Sequence, residues 1–72
     1  SIGRLDAMVN DLLASGRATR AGDAVVIHAN QIGIDKILGG GKVTQKMQIS
    51  ARAFSGQAKE KIEAKGGQIL VI

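Results

Sequence analysis

Three consecutive glycines, Gly39, Gly40 and Gly41, stand just past the middle of the chain, in the stretch LGGGKVTQK. Glycine loses more backbone freedom on folding than any other residue, so a run of three is entropically costly. Positive φ angles, a close backbone approach, or both would offset that cost. The run therefore marks a corner without side chains that the rest of the fold has to accommodate. The chain has 72 residues, enough for one domain. A domain this short buries only about 60% of its unfolded surface. There is no cysteine, so neither a disulfide nor a thiolate metal site can staple it. The core must come mostly from Ala, Val, Ile and Leu. Phe54, the single aromatic residue, is expected to anchor it.

Before the corner, Leu5, Met8, Val9, Leu12 and Leu13 follow helical spacing and predict an amphipathic helix over residues 2–14. Ser1 is placed to cap its start and Gly16 to end it, with Asp6 in an early turn to suit the dipole. Gly22-Asp23 is a turn signal. With the apolar, β-branched run from Ala24 to His28 after it and Arg17 to Thr19 before it, a small hairpin is expected. Asn30 then caps a short helix, with Ile34, Ile37 and Leu38 facing inward. After the corner, Val43, Met47, Ile49 and Ala51 alternate as one strand, bulged near Gln45 and Lys46. Ser55 caps a second helix, which carries Ala58 and Ile62 on the face of Phe54. Lys59 and Glu63, four apart, are expected to pair on its exposed side. Gly66-Gly67 ends that helix. The apolar run QILVI closes the chain as a strand covered on both faces. The order is helix, hairpin, short helix, strand, helix, strand, which makes a mixed α/β domain with a small sheet.

The chemical readings of the glycine run can be tested against their spacing. A Walker phosphate loop requires G-x-x-x-x-G-K-[ST]. Lys36 stands where its first glycine belongs, and Val43 where its hydroxyl belongs. The glycines also precede a strand, whereas a phosphate loop opens a helix. The dinucleotide pattern G-x-G-x-x-G fails because Thr44 stands at its last position. Catalysis has equally little support. His28 is the only histidine and sits at a strand end, Ser50 and Ser55 have no base near them in sequence, and Glu60 and Glu63 lie among lysines. No cluster of metal-ligating types occurs. No catalytic residue, metal or cofactor is expected.

Charge gives a more positive signal. The net charge is +4, and it is uneven. Residues 1–16 carry Arg4 against Asp6 and Asp11. Residues 17–46 carry Arg17, Arg20, Lys36, Lys42 and Lys46 against only Asp23 and Asp35. Arg52, Lys59, Lys61 and Lys65 then outnumber Glu60 and Glu63. Basic character from Arg17 onward points to a polyanionic partner. Base stacking needs exposed aromatics, which the chain lacks. Binding to the sugar–phosphate backbone remains, with Lys and Arg near phosphates and glycine admitting a close approach. The candidate contacts are Arg17, Arg20, Lys36, Gly39, Gly40, Gly41, Lys42, Lys46 and Arg52. Lys59, Lys61 and Lys65 read as a solvated helix face. No apolar run is long enough to span a membrane, and no secretory signal opens the chain.

The segment KILGGGKVTQKMQISARAFSGQAKEKIEAKGG resembles the C-terminal signature of the family of large-subunit ribosomal protein fifteen and its relative, protein eighteen. Lys36, Ile37-Leu38, the glycine corner, the strand through Met47 and Ile49, Phe54-Ser55, Ala58, Ile62 and Gly66 fall at the family's spacing. RLDAMVNDLLASGRA and GDAVVIHANQIGIDKILGGGKVT extend the likeness upstream, toward the archaeal and eukaryotic form. The resemblance implies an α/β fold with a small mixed sheet and irregular β-β-α superhelical turns. It implies a structural constituent of the large ribosomal subunit, in the cytoplasm, that binds large-subunit rRNA and touches neighbouring ribosomal proteins. It implies no membrane and no small-molecule substrate. Members carry a long basic, glycine-rich N-terminal arm, whereas this chain begins at the globular part. Residues 1–72 are therefore expected to be a single rRNA-binding domain, a fragment without that arm. The alternative is a module that docks on neighbouring ribosomal proteins rather than on RNA.

Overall fold

In the computed structural model, which describes residues 1–72, the first apolar stripe forms two short helices rather than one. Helix α1 spans Ile2–Ala7 and α2 spans Val9–Ala14. The Ser1 hydroxyl accepts from Arg4 N at 3.2 Å and caps α1, as the sequence suggests. Ile2, Leu5, Val9 and Leu12 are buried, so the apolar stripe does face the core. The break falls at Met8, next to a carbonyl engaged from outside the helix: Gln45 Nε2 donates to Asp6 O at 3.2 Å. Asp6 belongs to the later part of α1, not its first turn. Its carboxylate is buried and makes tertiary bonds instead of serving the dipole. Helix α2 ends as expected. Gly16 takes a φ of 77°, Gly16 N donates to Leu13 O at 3.2 Å, and Arg17 N donates to Leu12 O at 2.8 Å, a Schellman arrangement.

The remaining elements are β1 (Ala18–Ala21), β2 (Ala24–His28), β3 (Lys36–Ile37), β4 (Met47–Ala51), β5 (Ala53–Phe54), α3 (Gly56–Ala64) and β6 (Gln68–Val71). β1 and β2 form the antiparallel hairpin around Gly22-Asp23. β2 pairs in parallel with β4, and β4 in parallel with β6, giving the order β1-β2-β4-β6. β3 and β5 make a separate two-stranded parallel sheet. Parallel neighbours require crossovers. α3 supplies the one between β4 and β6. Residues 29–46 supply the one between β2 and β4, by way of a 3-10 turn at Ala29–Ile32, β3 and the glycine corner. This is the mixed α/β architecture with a small mixed sheet that the element order predicts.

Alternation along the strands sends Val25, Ile27, Met47 and Ile49 into the core, where they meet Leu5, Val9 and Leu12 from the first helices and Ala58 and Ile62 from α3. Each fully buried aliphatic side chain contributes about 1.5–3 kcal/mol. Ser55 Oγ accepts from Ala58 N at 3.1 Å and caps α3, as expected. No helix is long and apolar enough to cross a membrane.

Several local expectations are corrected. The strand after the corner is only Met47–Ala51, because Leu38 to Gly41, Thr44 and Gln45 are held by bonds to α1 and α3 instead of a ladder. The short helix after Asn30 is a 3-10 turn. It is closed by Gly33 at a φ of 82°, and no side chain caps it. Ile37 is buried and Ile34 half-buried, but Leu38 is 51% exposed. Phe54 is half-buried rather than central, since β5 lies in the small second sheet. β6 is an edge strand, so its run is not covered on both faces: Leu70 is 63% and Val71 60% exposed. Lys59 and Glu63 form no ion pair. The only two join Lys46 to Asp23 and Arg52 to Asp35.

Candidate nucleic-acid interface

The glycine corner runs between the start of α1 and helix α3, and each carbonyl from Leu38 to Gly41 is engaged. Ile2 N donates to Leu38 O at 2.7 Å and Gly3 N to Gly40 O at 2.9 Å. Both are donors that a helix start leaves without an intrahelical partner. From α3, Lys61 Nζ donates to Gly39 O at 2.5 Å and to Gly41 O at 2.7 Å. Alternate carbonyls thus serve alternate neighbours. Just beyond, Thr44 N and Thr44 Oγ1 donate to the two oxygens of Asp6, at 3.0 and 2.7 Å. The corner is clamped between two elements, α1 and α3.

The three glycines differ in what requires them. A Cβ on Gly39 would stand 2.6 Å from Gln57 Cβ and 2.8 Å from Ala58 N. Gly41 has a φ of 80°, and a Cβ there would stand 2.7 Å from Gly3 Cα. Gly40 would meet only Ser1 Cβ, at 3.5 Å, and its φ is not positive. The expectation that all three open the backbone to a partner is corrected at Gly39, which is buried against α3. Gly40, Gly41 and Lys42 are exposed, and their amides donate to no protein group.

The basic residues do not converge on a single patch. Lys42 lies on an open cleft of about 420 Å³ between Gly41–Thr44 and the Lys61, Ala64 and Lys65 positions of α3. Lys36 lines a different cleft, with Arg4, Leu5, Met8, Ile34 and Ile37. Arg17 and Arg20 are exposed on or beside β1, and Arg17 Nε donates to Ser15 Oγ at 2.9 Å. Lys46 Nζ sits 3.2 Å from Asp23 Oδ1, and Arg52 Nε 3.7 Å from Asp35 Oδ1. These two pairs are solvent-exposed and weak, on the order of 0–1 kcal/mol. His28 Nδ1 lies 2.8 Å from Ser50 Oγ, because parallel pairing of β2 and β4 puts them in register. No other side chain bonds to the ring, so the pair lacks the third, orienting group of a nucleophile–base arrangement.

The family described as ribosomal proteins 50S-L15 and 50S-L18e, together with their 60S counterpart, matches residues 1–70. The chain belongs to this family. Among the members similar to it is the large ribosomal subunit protein uL15 of Methanobrevibacter smithii, 42% identical over 92% of this chain and 46% of the relative. The uL15 protein of Thermofilum pendens is 38% identical over 99% of this chain and 47% of its own length. That of Archaeoglobus fulgidus is 40% identical over 94% and 38%. The chain spans about half the length of the curated uL15 relatives it matches, or less. These archaeal relatives agree with the likeness read from the sequence.

Within the family pattern, sequence reasoning missed one cation and one acid. Lys61 read as solvated helix face, yet it is half-buried and holds the corner, whereas Lys65 is exposed as that reading expects and lines the cleft with Lys61 and Lys42. The helical spacing of four between Lys61 and Lys65 was a usable signal for a shared face. Asp6 gave none, since its partner Thr44 is 38 positions away.

Proposed function

We propose that residues 1–72 act as one rRNA-binding domain of a structural constituent of the large ribosomal subunit, working on the cytoplasmic ribosome without catalysis or cofactor. The observation that carries this reading is the family match over residues 1–70. Charge supports it: of ten Lys and Arg, only Lys46 and Arg52 stand in ion pairs, both exposed. With one aromatic residue, and that half-buried, recognition runs through phosphates rather than stacked bases. Among the candidate contacts, Arg17, Arg20, Lys36 and Lys42 stand in no ion pair and make those contacts directly. Lys46 and Arg52 contribute by exchanging Asp23 and Asp35 for phosphate. Gly40 and Gly41 admit the RNA backbone, while Gly39 contributes through the shape of the corner.

The test is equilibrium binding to large-subunit rRNA across a salt series. Phosphate binding gives a linear fall of log affinity with log salt, with a slope set by the number of phosphates neutralised. Arg20→Ala is expected to reduce that slope by about one. A second reading, docking on neighbouring ribosomal proteins, is favoured by the β6 edge, where Leu70, Val71 and Ile72 are all more than half exposed. An open edge strand accepts an added strand. Binding to rRNA that ignores salt would favour that reading.

A further inference from the structure

We propose that the cleft between the glycine corner and α3 seats a single phosphodiester group of RNA. This rests on the rRNA-binding reading above and names where one contact is made. Three lysines line the cleft, Lys42, Lys61 and Lys65, and no acidic residue does. None of the three is neutralised by an ion pair. Lys61 differs from the other two. Its two bonds, to Gly39 O and Gly41 O, fix the ammonium in place and leave one of its three donors unused. A fixed cation loses little side-chain entropy on meeting an anion. Lys42 and Lys65 are exposed, make no hydrogen bond within the domain through their side chains, and reach the cleft from opposite walls.

The backbone adds to this. Because the carbonyls of Leu38 to Gly41 are all taken by α1 and Lys61, the acceptors of this segment are neutralised. Residues 40–42 are exposed and the amides of Gly40, Gly41 and Lys42 have no protein acceptor, with Gly41 and Lys42 lining the cleft itself. Backbone amides together with ammonium groups are the ordinary means of holding a phosphate. The apolar lining is only Val43 and Ala64, which offers no platform for a base. The ligand class is therefore a phosphodiester, read without sequence preference.

The experiment measures binding of the chain to isolated large-subunit rRNA across a salt series, with Lys42→Ala, Lys65→Ala, the double variant, and Arg20→Ala for comparison. Neither lysine makes a side-chain hydrogen bond or ion pair within the domain, so the circular dichroism of each variant should match that of the unaltered chain. Lys42 and Lys65 close on the phosphate from the two walls, and the single spare donor of Lys61 does not hold it without them, so the double variant should lose that one contact and about one unit of log–log slope, whereas two separate contacts would cost about two. The proposal expects the first result, with the amide resonances of Gly40 to Lys42 shifting when RNA is added. A fall of about two, or an unchanged slope in the double variant, overturns it. If Arg20→Ala still lowers the slope in that case, rRNA binding stands and only the cleft is lost. A flat salt response of the unaltered chain removes both.

Discussion

At the scale of single residues, the glycine run is three separate requirements. Gly40→Ala should leave stability within about 0.5 kcal/mol, since its Cβ meets only ordinary contact. Gly41→Ala should cost about 1–3 kcal/mol, because it combines a positive φ with a clash against Gly3. Gly39→Ala should cost as much through its clash with Gln57 and Ala58 N. Urea unfolding of the three variants checks the order, and equal losses at all three positions would contradict it. Asp6→Ala strands Thr44 N and Oγ1 and should cost about 1–3 kcal/mol in the same measurement. The need for glycine was legible in the sequence, because three together have to be offset somehow. The neighbours that impose it were not, since Gly3 and Gln57 come from elements distant in sequence.

At the scale of elements, local signals were reliable wherever the stabilising partner is local. Ser1, Gly16, Ser55 and Gly66 all act where capping rules put them. Ser55→Ala should therefore destabilise the chain by about 1 kcal/mol, read as a lower midpoint of thermal unfolding. Readings failed where strand order decides the answer. The run ILVI looks like a central strand, but only the order β1-β2-β4-β6 reveals that β6 lies at an edge. Leu70→Lys should accordingly change stability by no more than about 0.5 kcal/mol. A loss of several times that amount would mean the edge is covered in the folded chain.

At the scale of the whole molecule, the domain keeps most of its cations free of its own carboxylates. Asp6 is spent on Thr44, and only Asp23 and Asp35 meet a basic side chain. A surplus of this kind repels itself and favours a polyanion. That much was legible from composition, and the family was legible from the motif spacing. The grouping of Lys42 with Lys61 and Lys65 was not, because it depends on α3 folding back along the corner. The most direct measurement is the affinity of the unaltered chain for large-subunit rRNA from low to moderate salt. Affinity should fall steeply and linearly on logarithmic axes, as it does when cations displace counterions from phosphates. An affinity that stays constant across that range would contradict the account.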